Sequence, residues 1–112
     1  MSDRELLELA AKAAGLHIDD WNCDMAVMYF WDGDPQNPER NHHYWSPLTD
    51  DGDALRLAVK LGMDVCIDGT QAAAYGNHDG AQPIETGPDV FANARRAIVR
   101  AAAEIGRRMQ HE

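Results

Sequence analysis

The chain has 112 residues, a length that suits one domain over residues 1–112 and buries a core without help from metal or disulfide. Its 19 acidic and 10 basic residues give a formal charge of −9, which argues against direct nucleic-acid or anionic-membrane binding and favours basic partners. Two cysteines, Cys23 and Cys66, are too few for a disulfide scaffold, and no apolar run approaches the roughly 20 residues of a membrane span.

The start, Met-Ser-Asp-Arg-Glu, lacks the basic and apolar regions of a signal peptide, so the expected location is a reducing cytoplasm. Ser2 and Glu5 form a capping box, because each side chain reaches an orphan N–H of the other's turn. Leu6, Leu9, Ala10 and Ala13 then repeat at helical spacing, and Gly15 ends this first helix. Leu16 to Ile18 is a short extended step.

Met25 to Trp31 is rich in β-branched and aromatic residues and predicts a strand. Asp32 to Asn41, with Gly33, Pro35 and Pro38, predicts a loop, and His42 to Trp45 a returning strand. Pro47 then sets a turn, and Thr49 or Asp50 caps a helix that Gly62 stops. Asp50, Asp51 and Asp53 lie where the helix dipole favours negative charge. Their spacing does not match a calcium loop, which needs alternating ligands and a glutamate at the twelfth position. Asp53, Arg56 and Lys60 share a narrow polar stripe. The remaining Leu55, Leu57, Ala58, Val59 and Leu61 predict a helix that is mostly buried.

Met63 to Ile67 predicts another strand, Asp68-Gly69 a turn, and Thr70 to Tyr75 a return strand weakened by three alanines. Asn77 to Pro88 reads as a loop. A long helix from about Asp89 to Met109 carries an apolar seam of Phe91, Ala94, Ile98, Ala101 and Ile105, with Arg96, Arg100 and Arg107 on another face. No internal repeat or low-complexity tract interrupts this order. The expected class is α+β, with three helices packed on a small, mainly antiparallel sheet.

Trp45-Ser-Pro-Leu-Thr-Asp-Asp-Gly-Asp-Ala-Leu-Arg-Leu-Ala-Val-Lys-Leu61 resembles a family of small bacteriophage and prophage proteins, the phage ABA sandwich domain. The blocks Glu5 to Gly15 and Ala94 to Gly106 are similar to that family's beginning and end. Ser46 stands where the family commonly has Asn. The resemblance implies a phage or prophage origin and an α-β-α sandwich, and it carries over no catalytic residues or cofactor.

Several residue groups have the chemistry of a site. His42 and His43, with Asp32, Asp34 and Glu39, offer transition-metal ligands, but neighbours on a strand point to opposite faces and seldom share one ion. A polar hairpin is the plainer reading, with no metal. Cys23 and Cys66 have no histidine placed beside them by a motif and read as structural thiols. Trp31, at the loop edge of an aromatic hairpin, is an interface candidate, whereas Trp45 is expected in the core. Arg96, Arg100 and Arg107 could meet phosphate or an acidic partner, though a solvated face balancing nearby carboxylates explains them as well.

The sequence holds no phosphate loop, nucleophile elbow or zinc-finger spacing. The expected function is therefore a non-enzymatic phage accessory protein that binds an unidentified host or phage protein, with a homodimer through the last helix as a further possibility. Two alternatives stand beside it: an acidic DNA mimic acting on a host DNA-binding protein, and a small metal- or ligand-binding domain built on His42 and His43.

Overall fold

The computed structural model describes residues 2–22, 27–31, 42–76 and 83–109, with 17–22, 27–31 and 42–44 described as backbone. Along the chain these form α1 (Asp3–Ala14), β1 (His17–Asn22), β2 (Val27–Trp31), β3 (His42–Trp45), α2 (Asp51–Lys60), β4 (Asp64–Asp68), β5 (Gln71–Tyr75), β6 (Ile84–Glu85) and α3 (Val90–Met109). The fold is α+β, with three helices and antiparallel strands. The strands divide between two three-stranded sheets, β1-β2-β3 and β4-β5-β6.

Each helix begins where a short polar side chain satisfies free backbone donors. Ser2 Oγ accepts from Glu5 N at 3.2 Å, the forward half of a capping box, and its hydroxyl donates to Glu5 Oε1 at 3.1 Å. Asp50 is the cap of α2, its carboxylate accepting from Asp53 N at 2.8 Å. Asp89 Oδ1 accepts from Phe91 N and Ala92 N at the start of α3. Gly15 and Gly62, at φ of 73° and 64°, end the first two helices in the left-handed region that costs a side chain dearly.

Ser46 fixes the approach to α2. Its backbone N–H donates to Asp53 Oδ2 at 2.9 Å, and its buried hydroxyl pairs with Thr49 Oγ1. Trp45 immediately before it is buried in the same core as Ala54, Leu57 and Ala58. The aromatic end of β3 and the inner face of α2 thus enter one cluster, and the turn between them sets the rotation of the helix.

That rotation differs from the expected, mostly buried helix. Ala54, Leu57 and Ala58 face inward, whereas Leu55 and Val59 are 62% and 72% exposed. Positions 54, 57 and 58 form one stripe at helical spacing, which turns 55 and 59 onto an outer flank. The seam of α3 differs too. Ala97, Ile98, Val99, Ala101, Ala102, Ala103 and Gly106 are buried, while Phe91 in the first turn is 65% exposed. The buried arc is wide because α3 touches α1, α2 and all three strands of the second sheet.

Among the residues whose side chains are described, the interior is built of small ones. Leu7, Val99 and Pro47 are the largest side chains lost wholly from solvent, and most of the remaining core positions are alanine. Small residues allow helix backbones to come close. At Gly106 an added Cβ would overlap the carbonyl oxygen of Leu9 and lie 2.8 Å from its carbon.

In the second sheet, Asp68 and Gln71 face each other across Gly69 and Thr70, as the expected turn requires. Gly69 has φ 62°. The predicted 77–88 loop contains β6, whose Ile84 and Glu85 pair with Ala73 and Ala72. In the first sheet β1 is longer than the expected step at 16–18, and its pairing with β2 is irregular between Ile18 and Asp20. Residues 23–26 and 32–41, which include Cys23 and the predicted hairpin tip, lie outside the described residues.

Candidate interaction surface

Arg95, Arg96 and Arg100 of α3 are held by carboxylates from distant parts of the chain. Arg96 bonds Asp3 of α1 at 3.0 Å and Glu85 of β6 at 3.3 Å, and Arg100 reaches the same Glu85 oxygen at 3.2 Å. Glu85 is only 18% exposed at its side chain, so one carboxylate is clamped by two cations from successive turns of the helix. Arg107 pairs with Glu104 at 2.7 Å, and this carboxylate, by hydrogen bond and then by charge, raises the arginine's pKa. Arg95, absent from the sequence candidates, is the most enclosed of these arginines, at 17% side-chain exposure. It donates to the Leu48 carbonyl at 2.9 Å and to Asp51 of α2. The arginine face therefore laces α1, α2 and the second sheet to α3.

Asp53 is similarly engaged. It pairs with Arg56 at 2.7 Å, and this bond, then its charge, raises the Arg56 pKa. Capping and pairing account for the aspartates at the start of α2 without any ion, and among the described residues no three of His, Cys, Asp and Glu converge into a metal site.

Trp31 and His42 are direct register partners in the first sheet, and Phe30 faces His43. The backbone thus brings two sequence candidates, Trp31 and His42, to one position beside the β2–β3 connection. His43 occupies the next position along the strand. Asp32, Asp34 and Glu39, their suggested companions, lie outside the described residues.

The exposed apolar side chains were missed by sequence reasoning. Leu55 and Val59 lie one turn apart on α2, and Ile67 on β4 and Ile84 on β6 are also exposed. In the second sheet Ala72 and Ala74 are buried, so their strand alternates an inner face with an outer one. Cys66, Ala73 and Ile84 stand in one row across the outer face, as their cross-strand pairing requires. Cys66 is consequently an exposed free thiol. It faces away from α3 because β4 alternates in step with β5. The neighbouring Tyr75 has its phenol pKa raised, first by a hydrogen bond with Cys66 and then by the charge of Cys66.

The sequence signal for Leu55 and Val59 was their i, i+4 spacing, but Leu57, Ala58 and Leu61 offered a competing stripe. The bond of Ser46 to Asp53, with Arg95 at Leu48 and Asp51, holds α2 in the observed rotation.

No helix of the described residues is long and apolar enough to cross a membrane. No protein-family model, curated protein or solved structure matches the chain.

Proposed function

We propose that the chain is a non-enzymatic accessory domain that works by binding a protein partner. The observation that carries this reading is an inversion of side-chain size. Among the residues whose side chains are described, alanines fill much of the interior, while Leu55, Val59, Ile67, Ile84 and Phe91 stand in solvent. Large apolar groups at the surface gain the most from being covered by another protein, at about 25 cal/mol per Å² removed from water.

The charged groups support the same reading. Asp3, Asp51, Asp53, Glu85 and Glu104 are engaged by arginines of the same chain, which breaks up the rows of free carboxylate that a DNA mimic needs. The resemblance of residues 45–61 to the phage ABA sandwich domain, with its two flanking blocks, extends the proposal to a phage or prophage protein acting in the host cytoplasm.

The test is cross-linking in a bacterial host, followed by mass spectrometry, with the wild type compared against the double variant Leu55→Lys, Val59→Lys. A partner recovered with the first and lost with the second supports the proposal. A monomer that captures no specific protein in either form overturns it.

A further inference from the structure

Strand β4 lies at the border of its sheet, with β5 as its hydrogen-bonded neighbour among the described residues. No described strand pairs with its far edge, whose backbone donors and acceptors suit another extended chain. Asp64, Cys66, Ile67 and Asp68 are all exposed. Pairing with the buried Ala72 and Ala74 places Ile67 and Val65 on the α3 side, and Asp64, Cys66 and Asp68 on the opposite side.

The two aspartates differ from most of the acids around them. Asp3, Glu8, Asp51, Asp53, Glu85 and Glu104 have arginine partners, and Asp50 and Asp89 cap helices. Asp64 and Asp68 take part in none of these ion pairs or caps. They stand on one face of this edge strand, four positions apart, with Val65 and Ile67 on its other face.

We propose that this edge takes an extended segment of a partner protein that carries two basic residues four positions apart, separated by β-branched apolar residues. The proposal rests on the protein-binding reading above and names the chemistry of the partner. Added to β4, such a segment places its two cations on the face of Asp64 and Asp68 and its apolar residues beside Val65 and Ile67. Cross-strand pairs of opposite charge each favour the complex by roughly 0.2–1 kcal/mol.

A second copy of this chain does not fit. Antiparallel pairing of β4 with itself about Cys66 sets Asp64 against Asp68 at both ends, and like charges directly opposite are destabilising. The net charge of −9 adds repulsion at longer range. The same two side chains that repel a copy attract a cationic strand.

The probe is a backbone-cyclised β-hairpin presenting Arg-Val-Thr-Val-Arg on its outward edge, titrated into the isotope-labelled protein and followed by amide NMR. The expected result is saturable shifts along β4 and β5, weakened by salt and lost when the outward amides of the hairpin are N-methylated. The variant Asp64→Lys, Asp68→Lys weakens binding by roughly tenfold. Because the N-methylated hairpin needs no change in the protein, the test does not depend on that variant folding.

Absence of shifts at millimolar hairpin overturns the proposal and leaves the aspartates as guards against edge pairing. Equal binding by the N-methylated hairpin overturns it as well, since attraction then needs no strand. A partner captured through Leu55 and Val59 while the β4 amides stay unmoved removes the edge but leaves the protein-binding reading standing.

Discussion

Gly106 packs against the backbone of Leu9 so closely that α1 and α3 meet without a side chain between them. Any Cβ at this position collides with a carbonyl, which cannot swing aside as a side chain can. Overpacking of this kind costs about 1–3 kcal/mol, while alanine returns up to about 1 kcal/mol of helix propensity. Gly106→Ala is therefore expected to lower the urea midpoint. Gly52→Ala is the milder comparison, because there the neighbours are side-chain ends of Arg56 and Asp50 at 3.2 Å and not a backbone carbonyl. Its midpoint should hold or rise.

The two flanks of α2 should respond oppositely to truncation. Leu57 is 3% exposed, and Leu57→Ala is expected to cost about 2–5 kcal/mol. Leu55→Ser and Val59→Ser should each change stability by less than about 0.5 kcal/mol. Denaturant titration of the three variants checks the rotation of the helix directly. A large loss at Leu55 would contradict the placement described above.

Arg95 joins two unlike acceptors, the Leu48 carbonyl and the Asp51 carboxylate. Arg95→Met removes both bonds and is expected to cost about 1–2 kcal/mol. Arg95→Lys should recover only part of this, because an ammonium lacks the planar fork that serves two acceptors at once. Asp51→Asn should have a smaller effect than either, since Asp51 is 65% exposed at its side chain. Thermal melts of the three variants rank them.

Glu85 holds Arg96 and Arg100 together. Glu85→Gln leaves two cations facing each other across a half-buried site, for an expected loss of about 1 kcal/mol. Raising the salt concentration should narrow the gap from the wild type, because screening weakens both the lost attraction and the new repulsion. Melting curves at low and high salt measure this.

Tyr75 makes a pH signature. Its phenol pKa lies above the ordinary value in the folded protein, by its hydrogen bond with Cys66 and the charge of that group. The folded state thus holds the phenol proton more tightly than the unfolded state does. The linked stability is complete below the unfolded pKa of about 10 and is lost as pH rises through the higher folded value. Cys66→Ala is expected to bring the Tyr75 transition down toward the ordinary range. Ring-resolved NMR titration separates it from Tyr29 and Tyr44.

The local rules of the chain were legible in its residues. Ser2, Asp50, Asp89, Gly15 and Gly62 mark helix ends because capping and left-handed geometry depend on the immediate neighbours alone. The α+β class followed from the order of the periodic segments. What a single residue pattern left open was rotation. Leu55 and Leu57 are equally apolar, and tertiary anchors of α2, the Ser46–Asp53 tether and the bonds of Arg95, go with one turned inward and the other out. Strand β6 escaped notice because two residues, Ile84 and Glu85, are too few for a period, and their structure comes from the waiting edge of β5. The candidate surface was legible only in part. Arg96 and Arg100 were singled out as a charged face, but their partners Asp3 and Glu85 come from the far end of the chain and from that short strand.

The bridge from Arg96 to Asp3 spans 93 residues, and the contact of Gly106 with Leu9 spans slightly more. During synthesis, α1 leaves the ribosome long before the helix it must lie against exists. Its buried Leu7 stripe stays uncovered until α3 follows, and the native centre closes in a late, long-range step. A fold closed by segments so far apart in the chain couples its folding to the emergence of α3. Stalled chains lacking α3 should bind chaperone and be cut by protease, and protection should appear only when the last helix is free.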